Sequence, residues 1–253
     1  EKLKVLDLFS GIGGFSLGLE RTGEFETVAF CEIEKFPQKV LAKHWPRVPI
    51  YEDVRELTAE RLKADGIVPN VITGGFPCQD ISVAGNQKGI GEGTRSGLWS
   101  ECARLVGELR PDYAIFENVT ALISGESGKW FERVLWDISA LGYDAEWHCI
   151  PASTVGASHK RDRVWIITYP NSKFGVQCIK KQILRKSHLQ GQSGRGFERF
   201  RERPSKAEAF FCREDDGVPS RVDRLKGLGN AVVPQIPEII GNAILENRKN
   251  HAL

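Results

Sequence analysis

Short apolar runs alternate with amphipathic segments along roughly the first 170 residues of the chain. Residues 4–9, 26–30 and 71–73 are rich in β-branched and other large apolar side chains and end in glycine or polar residues, which predicts buried strands. Residues 15–20 and 35–44 follow two of these runs and have the spacing of amphipathic helices. The alternation predicts an open sheet of the α/β class.

The second half of this region continues the same pattern. It predicts a helix over 98–109, a strand over 111–119 and a second helix over 127–141. A pair of strands, 144–151 and 163–169, follows before the pattern fades. The apolar stripe of the second helix, which includes Trp130 and Phe131, is interpreted as core packing. Regular patterning is then absent for about 50 residues, and a terminal helix is predicted over about 234–247.

A glycine turn separates the first predicted strand from the first helix. The sequence Ser-Gly-Ile-Gly-Gly at 10–14 gives the strand, glycine turn and helix arrangement that presents free N–H groups to a nucleotide-like ligand. Its spacing is not that of the dinucleotide fingerprint, which disfavours a nicotinamide dehydrogenase. Glu32 lies at the tip of the second strand and could accept both ribose hydroxyls of such a ligand. The alternative is a helix cap before residues 35–44, a role that Glu34 could fill instead.

Cys78 follows the strand at 71–73 on a loop with the sequence Gly-Gly-Phe-Pro-Cys-Gln. In an open α/β sheet, ligands bind at the carboxyl ends of the strands, where this loop begins. Pro77 stiffens the backbone before the sulfur, and Gly74 and Gly75 allow a flat ring to approach closely. The loop therefore favours a nucleophilic thiol, with a small buried hydrophobic side chain as the alternative.

Glu117 and Asn118 end the strand predicted at 111–119. A carboxyl group beside the Cys78 loop would be partly shielded from water, which raises its pKa and lets it donate a proton. The alternative is a structural acid at a helix N-terminus. Asn118 is interpreted as a brace between loops rather than as a substrate contact.

Composition limits the remaining possibilities. The 253 residues are 41% hydrophobic with a mean hydropathy of -0.29, enough for one large α/β domain or one with a small insert. No apolar run reaches the roughly 18 residues of a membrane span and no secretory signal opens the chain, so we expect a cytoplasmic protein. Six scattered cysteines form no CxxC pair and no zinc-like cluster, so reduced thiols and no metal are expected.

Positive charge is concentrated between residues 173 and 206. Ten Lys and Arg residues there face only Glu198 and Glu202, a local charge of +8 in a chain whose net charge is +2. Such a block indicates a polyanion partner or a solvated tail. Phe174, Phe197 and Phe200, together with nearby glycines, favour a loop on nucleic acid.

Five stretches resemble, in order, the motifs of the C5 cytosine-specific DNA methyltransferases: DLFSGIGG, GGFPCQ, ENV, a paired-arginine segment and GNAVVPQ. The resemblance covers residues 3–168 and 217–245. It implies a Rossmann-like S-adenosylmethionine-dependent methyltransferase fold with a small, irregular basic insert. Residues 1–169 plus 225–253 would form the catalytic domain, and residues 170–224 a short target-recognition region.

The resemblance also implies a pocket for S-adenosylmethionine. Phe9 would pack on the adenosine, the glycine turn would line the methionine part, and Ile33 would lie on the adenine face. Asp53, which alone would be read as a helix cap, would contact the adenine edge with Val54. The full set of expected cofactor-binding residues is Phe9, Gly11, Ile12, Gly13, Gly14, Glu32, Ile33, Asp53, Val54, Leu98, Asn230 and Val232.

In the catalytic set that the resemblance implies, Cys78 attacks C6 of cytosine and Glu117 holds the N3 edge and protonates it. Arg161 and Arg163 bind the base carbonyl and neighbouring backbone. His159 stands where the family typically has Gln, which leaves the arginine roles intact. Double-stranded DNA is the expected substrate of a monomeric enzyme that does not associate with membranes, with a cognate restriction endonuclease as a further partner.

Two other functions compete with this interpretation. Methylation of RNA is the first, but the Cys-Phe-Thr segment usual in that branch of the family is absent from the sequence. The second is a catalytically silent DNA-binding regulator, which would require a broken site. Cys78, Glu117, Asn118 and Arg163 are all present, so the sequence favours the enzyme.

Overall fold

The computed structural model describes residues 1–77, 98–157, 161–171 and 231–251. Across these residues one mixed sheet contains seven strands in the order β3-β2-β1-β4-β5-β7-β6. Their bounds are β1 Leu3–Leu8, β2 Phe25–Cys31, β3 Ile50–Tyr51, β4 Val71–Gly74, β5 Tyr113–Val119, β6 Tyr143–Pro151 and β7 Asp162–Pro170. The α/β class predicted from the apolar runs is confirmed.

A single strand of the described sheet, β7, runs opposite to the other six. β3, β2, β1, β4 and β5 are all parallel, whereas β7 pairs antiparallel with both β5 and β6. The hairpin partner β7 therefore lies between β5 and β6, in the interior of the sheet. This register places Arg163 opposite Val119 and brings the start of β7 beside the end of β5.

Helices cover both faces of the sheet. Their bounds are α1 Gly14–Glu20, α2 Lys35–His44, α3 Ala59–Ala64, α4 Trp99–Leu109, α5 Ala121–Ser124, α6 Lys129–Ala140 and α7 Gln235–His251. Short 3-10 segments occupy Gly125–Gly128 and Ala152–Val155. The helix predicted from residue 127 begins two residues later, because Glu126 and Ser127 have φ values of 48° and 58°, which a helix cannot accommodate.

The apolar side chains form two cores, one on each face of the sheet. Leu8, Phe116 and the helices α4 and α6 build one core, which contains the predicted stripe Trp130, Phe131, Val134 and Ile138. On the other face, α1 and α7 pack against β1, β4 and β5. The prediction that the α6 stripe serves packing is confirmed.

The segment that leads into α7 lies directly on α1. A Cβ atom built on Gly14 would be 2.4 Å from the carbonyl oxygen of Val232, and one built on Gly18 would be 2.1 Å from that of Pro234. Glycine is therefore required at both positions for the two backbones to approach this closely. This contact places Val232 beside the turn that follows β1.

Within the described ranges, no helix has the length and apolarity to cross a bilayer. In the same part of the chain, no group of three or more His, Cys, Asp and Glu residues is arranged to hold a metal ion.

Candidate active site

The turn between β1 and α1 has the open geometry of a ligand-binding loop. Phe9, Gly11 and Gly13 have φ values of 50°, 53° and 85°, and the Gly13 N–H donates to the carbonyl of Ser10. A Cβ atom built on Gly11 would meet no atom within 4 Å, whereas one built on Gly13 would lie 2.7 Å from the Trp45 ring. The turn is therefore supported from one side and open above Gly11.

Glu32 connects the end of β2 to this turn. One carboxylate oxygen accepts the Gly11 N–H at 2.7 Å and the other accepts the Glu34 N–H at 2.8 Å. Burial raises the pKa of Glu32, and the two N–H groups partly offset that effect. Glu34 is the residue before the first turn of α2, so neither bond caps that turn. The helix-cap alternative for Glu32 is wrong, because its carboxylate binds the turn after β1 instead of capping α2.

The residues expected at the adenine end lie on two short segments. Ile33 is 59% exposed, whereas Val54 is buried. Asp53 accepts two close hydrogen bonds from the Arg55 side chain, at 2.9 and 2.6 Å, which lowers the pKa of Asp53. It caps no helix, because Thr58 caps α3 by accepting the Arg61 N–H. The helix-cap alternative for Asp53 is therefore also wrong.

The structure brings most of the expected cofactor residues to the carboxyl edge of the sheet. The glycine turn, Glu32 and Val232 are in contact with one another through Gly11 and Gly14, and Leu98 immediately precedes α4. Ile12 belongs to the same turn. Asn230 lies outside the described residues. The roles of these residues in binding a cofactor stay predictions.

Cys78 also lies outside the described residues, but the backbone that leads to it is described as far as Pro77. A Cβ atom built on Gly75 would be 3.3 Å from a carboxylate oxygen of Glu117, so the acid lies directly against this backbone. Asn118 donates a hydrogen bond from Nδ2 to the carbonyl of Phe76 at 3.2 Å. Asn118 thus braces the Cys78 loop, as its sequence position predicts.

Glu117 is buried and paired with an arginine from the neighbouring strand. Its Oε1 lies 2.9 Å from Nε of Arg163, across the β5–β7 pair. Burial raises the pKa of Glu117, while the positive charges of Arg163 and Arg161 act in the opposite direction. The carboxyl group therefore sits between a nonpolar environment that favours its protonated form and two cations that favour its ionised form.

Arg161 precedes β7 in a strained backbone conformation, with a φ of 24°. Its pKa is lowered, first by burial and then by the like charge of Arg163. Two neighbouring guanidinium groups and one carboxylate leave an excess of positive charge at this edge. Such a cluster can bind a carbonyl oxygen or a phosphate. His159, whose role the sequence left undefined, lies outside the described residues.

Asp7 is a buried residue of the site that the sequence analysis missed. It is fully buried within β1, where one oxygen accepts the Thr73 hydroxyl at 2.7 Å and the other accepts the Ser16 hydroxyl at 2.8 Å. Burial raises the pKa of Asp7 to about 7. An acid inside the otherwise apolar run at 4–9 was the available signal. Asp7 joins α1, which follows the glycine turn, to β4, which leads to Cys78.

Comparison with known proteins supports the resemblance. The family model for C-5 cytosine-specific DNA methylase matches residues 3–202. Type II methyltransferase M2.BsuMI of Bacillus subtilis is 36% identical over 169 residues, which are 65% of this chain and 41% of that protein. M.HgiBI of Herpetosiphon aurantiacus is 34% identical over 66% of this chain and 37% of its own length. The aligned region thus spans about two fifths of these relatives.

Solved structures show the same similarity. A prophage-encoded protein of E. coli described as a DNA modification methyltransferase is 32% identical, with a TM-score of 0.57 over 68% of this chain and 47% of that one. Spodoptera frugiperda DNMT2 has a TM-score of 0.56 at 22% identity over 68% of this chain and 51% of that one, which shows a shared fold. Because the family model matches more than half of its residues, the chain belongs to the C-5 cytosine-specific DNA methylase family.

Proposed function

We propose that this protein is a DNA (cytosine-5)-methyltransferase that transfers a methyl group from S-adenosylmethionine to C5 of a cytosine rotated out of the duplex. The observation that carries the proposal is the buried Glu117 carboxyl group, paired with Arg163 and lying against the backbone that leads to Cys78. A proton donor and a nucleophile at the same sheet edge match the chemistry that cytosine requires.

The residues on the glycine turn suit S-adenosylmethionine, which supplies an electrophilic methyl group when bound. The space above Gly11 is open, and the Glu32 carboxylate beside it can accept hydroxyl donors of a ribose. Ile33 offers an exposed apolar surface for a purine ring. Phe9 and Val232 complete the apolar lining.

Cys78 begins the reaction in this proposal. Its thiolate adds to C6 of cytosine, so that a sulfur–carbon bond forms and the C5–C6 π electrons shift to C5. Glu117 donates a proton to N3 and so prevents charge from building up in the ring. C5 then attacks the methyl group, so that a carbon–carbon bond would form while the sulfonium–methyl bond breaks and S-adenosylhomocysteine leaves with that electron pair. Removal of the C5 proton by a base restores the C5–C6 double bond and releases the thiolate, and N3 returns its proton to Glu117.

Arg161 and Arg163 support this chemistry electrostatically. Arg163 orients the Glu117 carboxyl group through its Nε contact, and both guanidinium groups favour binding of the base carbonyl and of the adjacent phosphates. The charge balance of the cluster changes when Glu117 gives up its proton. The two cations then stabilise the carboxylate that forms.

Double-stranded DNA is the proposed substrate. Cytosine C6 is inaccessible inside a stacked duplex, so the base must leave the stack at a cost of a few kcal/mol. The basic segment 173–206, which lies outside the described residues, would offset that cost through phosphate contacts. Several relatives are named Type II methyltransferases, which supports a cytoplasmic enzyme that works alongside a restriction endonuclease. A monomeric enzyme is part of the same proposal.

Replacement of Cys78 by Ala tests the nucleophile directly. We expect the variant to lose methyl transfer from radiolabelled S-adenosylmethionine while it keeps its affinity for duplex DNA, because only the sulfur is removed. Cys149→Ala, at an exposed thiol on β6, is the matched control and should keep full activity.

Turnover by Cys78→Ala would contradict the proposed mechanism. Bisulfite sequencing of DNA from cells that express the wild-type chain gives an independent result, because it identifies both the modified base and its sequence context. Absence of 5-methylcytosine together with intact DNA binding would instead indicate a silent regulator. Methylation of RNA alone would indicate the RNA-modifying branch.

A further inference from the structure

Arg104 links α4 to the turn that carries Asp53 and Val54. Its Nη2 donates to the carbonyl oxygens of Val54 at 3.0 Å and Leu57 at 2.8 Å, about 50 residues away in sequence. Main-chain carbonyls of this turn thus have a charged partner on a different element. Charge-assisted hydrogen bonds of this type are about twice as strong as neutral ones.

Two glutamates on α4 hold Arg104 in place. Glu101 lies 2.8 Å from Nε, and Glu108 lies 2.7 Å from Nη1. The second oxygen of Glu108 accepts the N–H of Ala59, the first residue of α3. The same three side chains therefore fix both ends of the segment between β3 and α3 to α4.

A surface ion-pair network alone would not explain this arrangement. Exposed pairs at i,i+3 and i,i+4 contribute little to stability, typically below about 1 kcal/mol. Arg104 is instead partly buried, and two of its hydrogen bonds go to the backbone of the turn. A guanidinium group can satisfy two carbonyls and two carboxylates at once, whereas a lysine ammonium has only three donors.

We propose that Arg104 is a positioning residue for the adenine end of the cofactor site. It holds the Asp53–Val54 turn at a fixed distance from Leu98 at the start of α4, so that Asp53 meets the exocyclic amine of adenine. The inference rests on the proposed function, because it requires an S-adenosyl ligand on this edge of the sheet. It adds a residue that does not itself touch the ligand.

The test compares two ligands on the full chain by calorimetry: S-adenosylhomocysteine and its 6-oxo analogue, S-inosylhomocysteine. Arg104→Leu should weaken binding of the adenosyl ligand by about 10- to 30-fold, which corresponds to about one charge-assisted hydrogen bond. Binding of the inosyl ligand should change by less than about threefold, because this ligand lacks the exocyclic amine that would donate a hydrogen bond to Asp53. The KM for S-adenosylmethionine should rise while kcat at saturation stays the same.

Arg110→Leu, at the residue that follows the last turn of α4, is the matched control. Arg110 also joins two elements, through the Leu141 carbonyl and the Tyr143 ring, but its contacts lie at the other end of α4. This variant should lose stability without a change in the ratio of the two ligand affinities. Arg104→Lys keeps the charge and replaces Arg104→Leu as the test variant if the latter does not fold. Its ratio of adenosyl to inosyl affinity should lie between those of the wild type and of a complete loss of discrimination.

The possible results separate the two proposals. Unchanged adenosyl affinity in folded Arg104→Leu, or unchanged discrimination in Arg104→Lys where that variant is the test, would overturn the positioning role. An equal loss for both ligands would also overturn it, since that pattern indicates general stabilisation of the fold. Failure of the wild-type chain to bind S-adenosylhomocysteine would overturn the proposed function, and the inference with it.

Discussion

The cofactor side of the proposed site, which comprises the glycine turn 9–14 and Glu32, depends on the backbone. There the carboxylate accepts two main-chain N–H groups, and glycines permit the turn. The base side, which comprises Glu117, Arg161 and Arg163, depends instead on charged side chains balanced against one another and against burial. Backbone dipoles are fixed, whereas the charge on a buried carboxyl group can change. The first arrangement suits binding, and the second suits proton transfer.

Glu117→Gln should separate the two sides most strongly. The amide keeps the shape of the side chain but cannot donate a proton as an acid, so kcat should fall by about two to four powers of ten. Affinity for S-adenosylhomocysteine, which depends on the cofactor side, should not change. Single-turnover kinetics and calorimetry measure the two quantities, with Glu132→Gln on α6 as the control.

The pH profile provides a second test of Glu117. Because burial raises its pKa, the protonated fraction persists to higher pH than for an ordinary carboxylic acid and falls as pH rises through the shifted value. The descending limb of kcat in the wild type should follow this titration. That limb should be absent in Glu117→Gln, and an unchanged profile would rule out Glu117 as the proton donor.

Asp7→Asn should change how the stability of the fold depends on pH, because Asp7 is the buried acid that joins α1 to β4 between the two sides. The pKa of Asp7 is about 7 in the folded chain against an ordinary value of 3.8, so folding favours its protonated form. This contribution to the free energy of unfolding is fully present below about pH 4 and is lost as pH rises through 7. Its size is at most about 4 kcal/mol.

Urea denaturation at several pH values measures this effect. The wild type should lose stability between about pH 4 and 7, and Asp7→Asn should show a clearly smaller slope, with the remainder due to the raised pKa values of Glu32 and Glu117. Asp144→Asn, at an exposed position on β6, should keep the wild-type slope. Equal slopes in all three proteins would mean that Asp7 is ionised throughout this range.

Glu32→Gln should have a smaller effect, limited to the cofactor side. A glutamine oxygen can accept from Gly11 or from Glu34, but its amide then opposes the other N–H group. Loss of one charge-assisted hydrogen bond should lower the affinity for S-adenosylhomocysteine by about 10- to 100-fold. Saturating S-adenosylmethionine should restore kcat, whereas Glu26→Gln on the exposed side of β2 should change neither quantity. A lower kcat at saturation would mean that the two sides are coupled.

Local sequence patterns predicted which segments form strands and helices better than they predicted which of these elements lie next to one another. The runs at 4–9, 26–30 and 71–73 became strands because period and composition are properties of adjacent residues. The position of β7 between β5 and β6 could not be inferred in this way, since strand order depends on packing between distant segments. The pattern likewise predicted the two strands of the hairpin, β6 and β7, but not that β7 would pair antiparallel with β5.

The same distinction applies to the site. Glu32 was singled out because it follows a predicted strand, and Glu117 because it lies near the end of another, since the carboxyl ends of parallel strands meet at one edge. The bond between Asp7 and Thr73 spans 66 residues, and the bond between Arg104 and Val54 spans 50, so neither leaves a local signature. Asp53 was assigned to the adenine edge, but its pairing with Arg55 depends on side-chain geometry.

The close approach of Val232 and Pro234 to Gly14 and Gly18 has a consequence for biosynthesis. The wall of the pocket beside the glycine turn comes from a segment translated more than 200 residues after that turn. A nascent chain that has already formed β1 and α1 therefore exposes an incomplete pocket until α7 has left the ribosome. In the proposed enzyme, ligand capture at this turn therefore requires that the remote segment has already packed on α1.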